Sequence, residues 1–287
     1  MVADTSGKIV LITGCASGIG KATATRLRAD GWVTVDTARR TEQVADLAAI
    51  GCEILALDVA DEASRVQAVE AVLARHGRID ALINNAGYSL SGALETLPLD
   101  AVRRQFETNV FGLLRLCQLV LPAMRAQRSG RIVNLSSMGG KLTFPGGGAY
   151  HATKHAVEAL SDALRFEVAG FGVKVIVIEP GLIRTGFAEA VQKAMIPPDQ
   201  PTGPYAGFDA AVARSTREAY EKGPLAKLGG PPERVAQVIA AALSIKAPKA
   251  RYRVTASAYL LMGLRTVLSD RQWDGFLRSS FPQPGAA

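Results

Sequence analysis

Residues 8–20 read KIVLITGCASGIG. A run of branched aliphatic residues passes directly into a turn carrying Gly14, Gly18 and Gly20, and a helical pattern continues over 18–29. Apolarity without alternation suits a strand buried on both faces. The glycines let backbone come close to a ligand where a helix begins, and there unpaired N–H groups and the positive dipole end favour an anion. A plain strand-to-helix turn would look much the same, so the stretch has to be weighed with the rest of the chain.

Further strand-like runs recur at VTVDTA (33–38), EILALDV (53–59), IDALINN (79–85), RIVNLSS (131–137) and VKVIVIE (173–179). Helical patterns lie near 18–29, 41–49, 61–75, 100–127 and 150–170. This alternation predicts an α/β fold: a single-domain, Rossmann-type doubly wound parallel sheet with helices on both faces, spanning 1–282. Ligands of such sheets sit beyond the carboxyl ends of the strands. After residue 180 the pattern breaks into prolines (Pro197, Pro198, Pro201, Pro204, Pro224, Pro231) around helical material near 206–222. That makes 183–230 a lid or pocket-wall segment that covers the substrate. A helix near 232–245, a short strand at RYRVTA (251–256) and a terminal helical region complete the pattern, with 283–287 read as a disordered tail.

The 287 residues are 48% apolar and 21% charged, ordinary for a globular chain. No apolar run approaches the roughly 20 residues of a membrane span, and the start, MVADTSGKIVLIT, has an early acid and no basic n-region. A cytoplasmic protein is expected. Cys15, Cys52 and Cys117 are widely spaced without a CxxC, which suits a reducing compartment. His151 and His155 stand four apart without an acid to complete a metal motif, so they read as two helix-surface imidazoles and no metal is expected. The net charge of +7 is scattered, with no Lys/Arg run longer than the pairs Arg39-Arg40 and Arg103-Arg104. A nucleic-acid partner is not expected, and a phosphate-bearing small ligand accounts for a local cluster equally well.

A dinucleotide explains the ends of the first four strands. Gly14, Ser17, Gly18, Ile19 and Gly20 form the pyrophosphate turn. An NAD site places an acid at the end of the second strand to bind the ribose hydroxyls; here Ala38 stands in that place, Asp36 lies two residues earlier, and Arg39 and Arg40 come next. A guanidinium fork suits a 2′-phosphate, which favours NADP(H), with NAD(H) as the alternative on account of Asp36. Asp58 and Val59 would hold the adenine, and Asn85, Ala86 and Gly87 form a tight small-residue turn after strand four.

In the stretch AYHATKHAVEAL (149–160), Tyr150 and Lys154 share one helical face. Reduction of a ketone builds negative charge on oxygen and needs a proton donor. A phenol near pKa 10 is a weak acid, and a neighbouring cation lowers that value. Taken singly, Tyr150 could be a packing aromatic, Lys154 a solvated charge and Ser137 a turn residue.

The ordered set TGCASGIG, NNAG, TNVFG with Asn109, NLSS with Ser137, YHATK and Pro180-Gly181 resembles the short-chain dehydrogenase/reductases over about residues 8–190. The resemblance implies a catalytic tetrad: Tyr150 as proton donor, Ser137 binding the substrate oxygen, Lys154 reaching the nicotinamide ribose, and Asn109 holding a water linked to Lys154. It also implies that Pro180, Gly181, Ile183 and Thr185 border the nicotinamide, Thr185 at the carboxamide, and that pairing through the 100–127 and 150–170 helices gives a homodimer or homotetramer. The pattern is most similar to the 17β-hydroxysteroid and retinol dehydrogenase branch and its bacterial relatives. Leu142, Phe144, Leu182, Phe187, Met195, Tyr205 and Phe208 are the expected pocket liners beside Ser137 and Tyr150. Their apolarity points to a steroid, a retinoid or another hydrophobic carbonyl or secondary alcohol. An NAD-dependent alcohol dehydrogenase of the same family and a non-enzymatic NADP-binding regulator are the competing readings.

Overall fold

A computed structural model describes residues 7–185 and 203–285 of the chain. β1 (Ile9–Ile12), β2 (Val33–Ala38), β3 (Glu53–Ala56), β4 (Ala81–Asn84), β5 (Gly130–Leu135), β6 (Val173–Pro180) and β7 (Arg251–Val254) form one sheet in the order β3-β2-β1-β4-β5-β6-β7, parallel throughout. The chain reverses direction across the sheet between β1 and β4, the switch point where such sheets open a crevice. The expected doubly wound α/β domain is what the chain forms.

The strand residues show why apolarity ran unbroken. Val10 and Ile12 pack with Ala24 and Leu27 of α1 (Gly18–Ala29) on one face. Ile9 and Leu11 pack on the other with Val69 of α3 (Glu62–His76), Leu116 and Val120 of α5 (Gly112–Ala126) and Val157 of α6 (Gly148–Val168). Alternate side chains therefore both meet a dry layer. Two short helical turns, Thr41–Val44 and α2 (Ala45–Ala49), fill the expected 41–49 helix. β3 stops at Ala56 rather than 59, because Asp58 accepts from the Ala60 N–H and Asp61 caps α3 through the Ser64 N–H. Both carboxylates turn the chain locally, which competes with strand continuation.

The expected helix over 100–127 is divided. α4 (Leu99–Phe106) passes through a π-helical turn at Glu107–Phe111 before α5 begins. Such turns insert a residue into the helix and rotate one half against the other. Beyond β6, α7 (Ala206–Glu221), α8 (Pro232–Ser244), α9 (Ala256–Val267) and α10 (Asp270–Arg278) complete the described chain. α9 and α10 cap the molecule through Leu261, Met262 and Trp273, which bury against Met138, Leu142 and Leu182. No helix of the described residues is long and apolar enough to cross a membrane.

Candidate active site

The glycine turn and the NNAG turn are built as one unit. Gly14 has φ +72°, in the left-handed region, and a Cβ there would stand 2.9 Å from Ala86 Cα. Thr13 Oγ1 accepts from the N–H groups of Asn85 and Ala86, both at 3.0 Å. Asn85 Nδ2 returns two bonds of 2.9 Å to the carbonyls of Thr13 and Gly14. Ser17, at the N-cap of α1, makes no side-chain capping bond, and the first helical turn holds no acid. The opening N–H groups of α1 thus face the crevice with neither a side-chain cap nor a repelling carboxylate, which fits a pyrophosphate.

From this turn a cleft of ≈ 730 Å³ crosses the carboxyl ends of the strands. Gly14, Ser17, Gly18, Ile19, Arg39, Asp58, Val59, Asn85, Ala86, Gly87, Pro180, Gly181, Ile183 and Thr185 line it, as do Ser137, Tyr150 and Lys154. Two expected cofactor residues do not. Arg40 is exposed outside the cleft, and Gly20 acts from behind, since a Cβ there would be driven into the Gly14 carbonyl and the Asn85 amide. Asp36 is likewise no part of the wall. It is 0% exposed within β2, with Cys15 Sγ 3.9 Å from its Oδ1, and burial pushes its carboxyl up from 3.8 to about 6. The position facing the cleft belongs to Ala38.

At the other end, α6 presents the proposed chemistry. The Ser137 hydroxyl and the Tyr150 phenol are hydrogen-bonded to one another, and Ser137 Oγ also accepts from the Gly139 N–H at 3.0 Å. Lys154 Nζ donates to the Leu135 carbonyl at 2.7 Å and lies 5.7 Å from the Tyr150 ring centroid. The expected lowering of the phenol by Lys154 is not what governs here. Burial pushes Tyr150 up to about 12, against the Ser137 bond that lowers it, and burial pushes Lys154 down to about 8, against Glu158 one turn on. Desolvation governs both groups, so the free protein keeps the Tyr150 phenol protonated.

Asn109 sits in the π turn, 1% exposed. Its Oδ1 accepts from the Tyr88 N–H at 3.1 Å, and its Nδ2 donates to the Tyr88 carbonyl at 2.9 Å and to Thr153 Oγ1 at 3.1 Å. It therefore fixes the loop after β4 against α6, and Gly87 lies between it and Lys154: a Cβ there would stand 3.1 Å from Asn109 Oδ1 and 3.8 Å from Lys154 Nζ. On the outer side of the same turn, buried Arg65 joins the adenine-side loop to the helix. Its Nη1 donates to the Val59 carbonyl at 2.6 Å and to Glu107 at 3.1 Å. Behind the sheet ends, Asn84 Nδ2 donates to Asn134 Oδ1 at 2.9 Å and Asn134 Nδ2 to Ser161 Oγ at 2.9 Å, which ties β4, β5 and α6 together.

Several expectations need correction. Leu142 and Leu182 are buried in the cap under α9 and α10, with Phe144 packed against them, and none of the three lines the cleft. Their apolarity serves the core. Tyr205 bonds Glu95 at the surface and stacks edge-on with Phe208, and neither borders the cleft. Phe187 and Met195 lie outside the described residues. His151 is not a surface imidazole: it is 9% exposed, packed between Phe144 and Tyr150 at ring distances of 6.2 and 5.6 Å, and burial pushes it down to about 4. His155 is exposed as expected. Conversely, Gln43, Leu57, Tyr88, Thr108, Ser136 and Tyr220 line the cleft without having been singled out. Tyr220 comes from α7, some 70 residues beyond Tyr150, and the two phenols interact electrostatically. No local motif announces such a residue; only the fold brings it in.

Comparison with known proteins agrees with this geometry. The family model for short chain dehydrogenases matches residues 8–196. The 3-ketodihydrosphingosine reductase of Bacteroides thetaiotaomicron is 43% identical over 183 residues, 63% of this chain and 66% of that one. Among solved structures, a short chain dehydrogenase/reductase from Burkholderia phymatum in complex with NAD superposes with a TM-score of 0.78 at 27% identity, covering 99% of this chain and 98% of the other. A serine dehydrogenase complexed with NADP+ does so with a TM-score of 0.74 at 28% identity, covering 86% and 94%. The chain belongs to the short-chain dehydrogenase/reductase family of oxidoreductases.

Proposed function

We propose that this protein transfers hydride reversibly between NADP(H) and an apolar ketone or secondary alcohol. The observation that carries the reading is the hydrogen-bonded Ser137–Tyr150 pair at the wall of a cleft whose opposite end is an uncapped, acid-free helix N-terminus. The nicotinamide supplies the hydride when bound; the chain supplies the proton and holds the oxygen. Ser137 and Tyr150 would both donate to the carbonyl oxygen, and Tyr150 Oη would release its proton as charge builds there. Lys154, fixed by the Leu135 carbonyl, would carry the cation that stabilises the resulting phenolate and would bind the ribose. Asn109 would hold the loop that shapes this end, with Gly87 leaving room between it and Lys154. In oxidation Tyr150 acts as the base.

For the adenine end, Gly14, Ser17, Gly18 and Ile19 would take the pyrophosphate, Asp58 and Val59 the adenine, and Pro180, Gly181, Ile183 and Thr185 the nicotinamide. NADP(H) is the preferred reading over NAD(H) because Ala38 lines the cleft where an acid would be needed for the ribose hydroxyls, Arg39 lines it beside Ala38, and Asp36 is buried within β2. The cleft lining includes aromatic and aliphatic groups not assigned to the cofactor: Tyr88, Leu135 and Tyr220. That chemistry, together with a relative named for a long-chain keto substrate, supports a hydrophobic carbonyl such as a long-chain ketone, a steroid or a retinoid. Of the expected 183–230 lid segment, residues 186–202 lie outside the described residues, and the described part from 203 delivers Tyr220 to the cleft and would cover it. Exposed Phe111, at the end of the π turn leading into α5, and Phe166 of α6, 52% and 86% accessible, support pairing through these helices into a dimer or tetramer. Three buried free cysteines suit the cytoplasm.

A panel of ketones and alcohols read by NADPH consumption tests the reaction, with Tyr150→Phe as the control. Turnover of an accepted ketone should fall by roughly 10²–10⁴ in that variant while NADPH affinity barely changes. A Tyr150→Phe enzyme with near-normal kcat would show that the acid is another group.

A further inference from the structure

The chain carries its charge unevenly. Residues 246–278 hold seven basic side chains (Lys246, Lys249, Arg251, Arg253, Arg265, Arg271, Arg278) against two acids (Asp270, Asp274), a surplus of five in a chain whose whole net charge is +7. Arg251, Arg253 and Arg265 are paired with Glu158, Glu179 and Asp270. Lys246, Lys249, Arg271 and Arg278 are exposed and have no ion pair among the described residues.

Through the middle of this basic stretch runs α9, and its solvent-facing arc has no charge. Ala256, Tyr259, Leu260, Gly263, Thr266 and Val267 fall within about 120° of one another at 100° per residue. Tyr259 is 59% exposed, Leu260 52% and Val267 76%. Gly263 sits between them on that arc, with open space where a Cβ would be. The opposite side of the helix is committed to the core through Ala258, Leu261 and Met262. A surface helix ordinarily turns polar or charged residues outward. Here Arg253 lies with its guanidinium 6.0 Å from the Tyr259 ring centroid, so cation and apolar face adjoin. Ile245 and Phe276, 38% and 37% exposed, add apolar area at either end of the region.

We propose that α9 is an interfacial docking face for an anionic lipid bilayer, with Leu260 and Val267 entering the headgroup boundary and Lys246, Lys249, Arg271 and Arg278 meeting lipid phosphates. An uncharged arc in a stretch of chain that also carries unpaired cations is what a negatively charged apolar boundary selects. A second copy of this chain docking through the same face would have to bring matching acids, and this region offers only two, one of them already paired to Arg265. The same cap contacts Met138 and Leu182, which directly adjoin cleft residues Ser137 and Gly181. Docking would therefore hold the cleft near the bilayer. The proposal does not depend on which substrate the cleft takes.

The test is co-sedimentation of the full-length protein with phosphatidylcholine vesicles, alone or with roughly one-third phosphatidylglycerol, at low and high salt. The expected result is binding to the anionic vesicles, at least tenfold weaker to neutral ones and weakened by salt. L260E/V267E should abolish it, and K246E/K249E should lower it severalfold. NADPH binding should stay intact in both variants, which shows that they are folded. Absence of binding at low salt, binding indifferent to L260E/V267E, or light scattering in which L260E/V267E dissolves an oligomer while wild-type protein ignores vesicles would each overturn the proposal.

Discussion

Asp36→Asn separates two readings of the same carboxylate. If Asp36 reached the cofactor ribose it would be wet, ionised at ordinary pH and important for NADH. Instead it is 0% exposed, and its carboxyl is raised from 3.8 to about 6 by burial. At about 1.4 kcal/mol per tenfold change in proton affinity, ionising it costs the folded state roughly 3 kcal/mol. The direction comes from proton uptake. Below about pH 4 the group is neutral, folded or unfolded, and costs nothing. Between about pH 4 and 6 the unfolded chain ionises while the folded chain keeps its proton, so stability falls as pH rises; above about pH 6 the deficit is complete. D36N never ionises. Whatever hydrogen-bonding it loses to Cys15 is nearly the same at every pH and cancels from the slope. Urea melts of wild type and D36N at pH 4 and pH 7 should therefore differ in relative stability by roughly 2–2.5 kcal/mol, in favour of the variant at the higher pH. Fluorescence titration should find NADH and NADPH affinities changed by less than about twofold. A stability gap independent of pH, or a tenfold loss of NADH affinity, would refute the burial argument.

Arg39→Ala should weaken NADPH by about 10–100-fold in a fluorescence titration and leave NADH nearly untouched, since it removes a charge-assisted contact to the 2′-phosphate alone; equal losses would remove Arg39 from that role. Gly20→Ala should weaken NADPH at least about tenfold although Gly20 does not border the cleft, because its methyl displaces the Gly14 carbonyl and the Asn85 amide; calorimetry showing wild-type affinity would mean the turn can open without cost. Lys154 is pushed down to about 8 by burial, so kcat/KM for ketone reduction should bend downward as pH rises through about 8, where the free enzyme loses that cation. A profile flat beyond about pH 9 would contradict it.

What the sequence displayed and what it hid divide along a physical line. Strand runs such as Val10–Ile12 and the i,i+4 pair Tyr150/Lys154 were legible because backbone periodicity alone places them. The glycine turn was legible as a turn, but Gly20 and Arg40 read as wall residues because spacing does not say which way a position faces. Leu142, Phe144 and Leu182 show the same gap: an apolar side chain bordering a cleft and one under a C-terminal cap are spelled alike. His151 looked exposed because its helix was read without Phe144 and the tight chain at Gly147 that enclose it. Tyr220 was illegible because it enters from an element with no sequence relation to the tetrad. The direction of the Tyr150 pKa was also misjudged, since a neighbouring cation is visible in a sequence and the degree of burial is not.

The bond from Arg65 to both the Val59 carbonyl and Glu107 has a consequence for how this site can be altered. Glu107 opens the π turn that carries Asn109, so the loop that would grip adenine and the helix that positions the proton-handling end rest on one guanidinium. Gly112, two residues after Val110, leaves the space in which the Val59 carbonyl sits. A loop transplanted into positions 57–61 from another dehydrogenase would thus press on the catalytic end from outside, without touching substrate. Arg39 carries no such tether among the described residues. The two ends of the cleft are therefore unequal as sites of change: one position can be rewritten in isolation, and the other only together with the helix behind it.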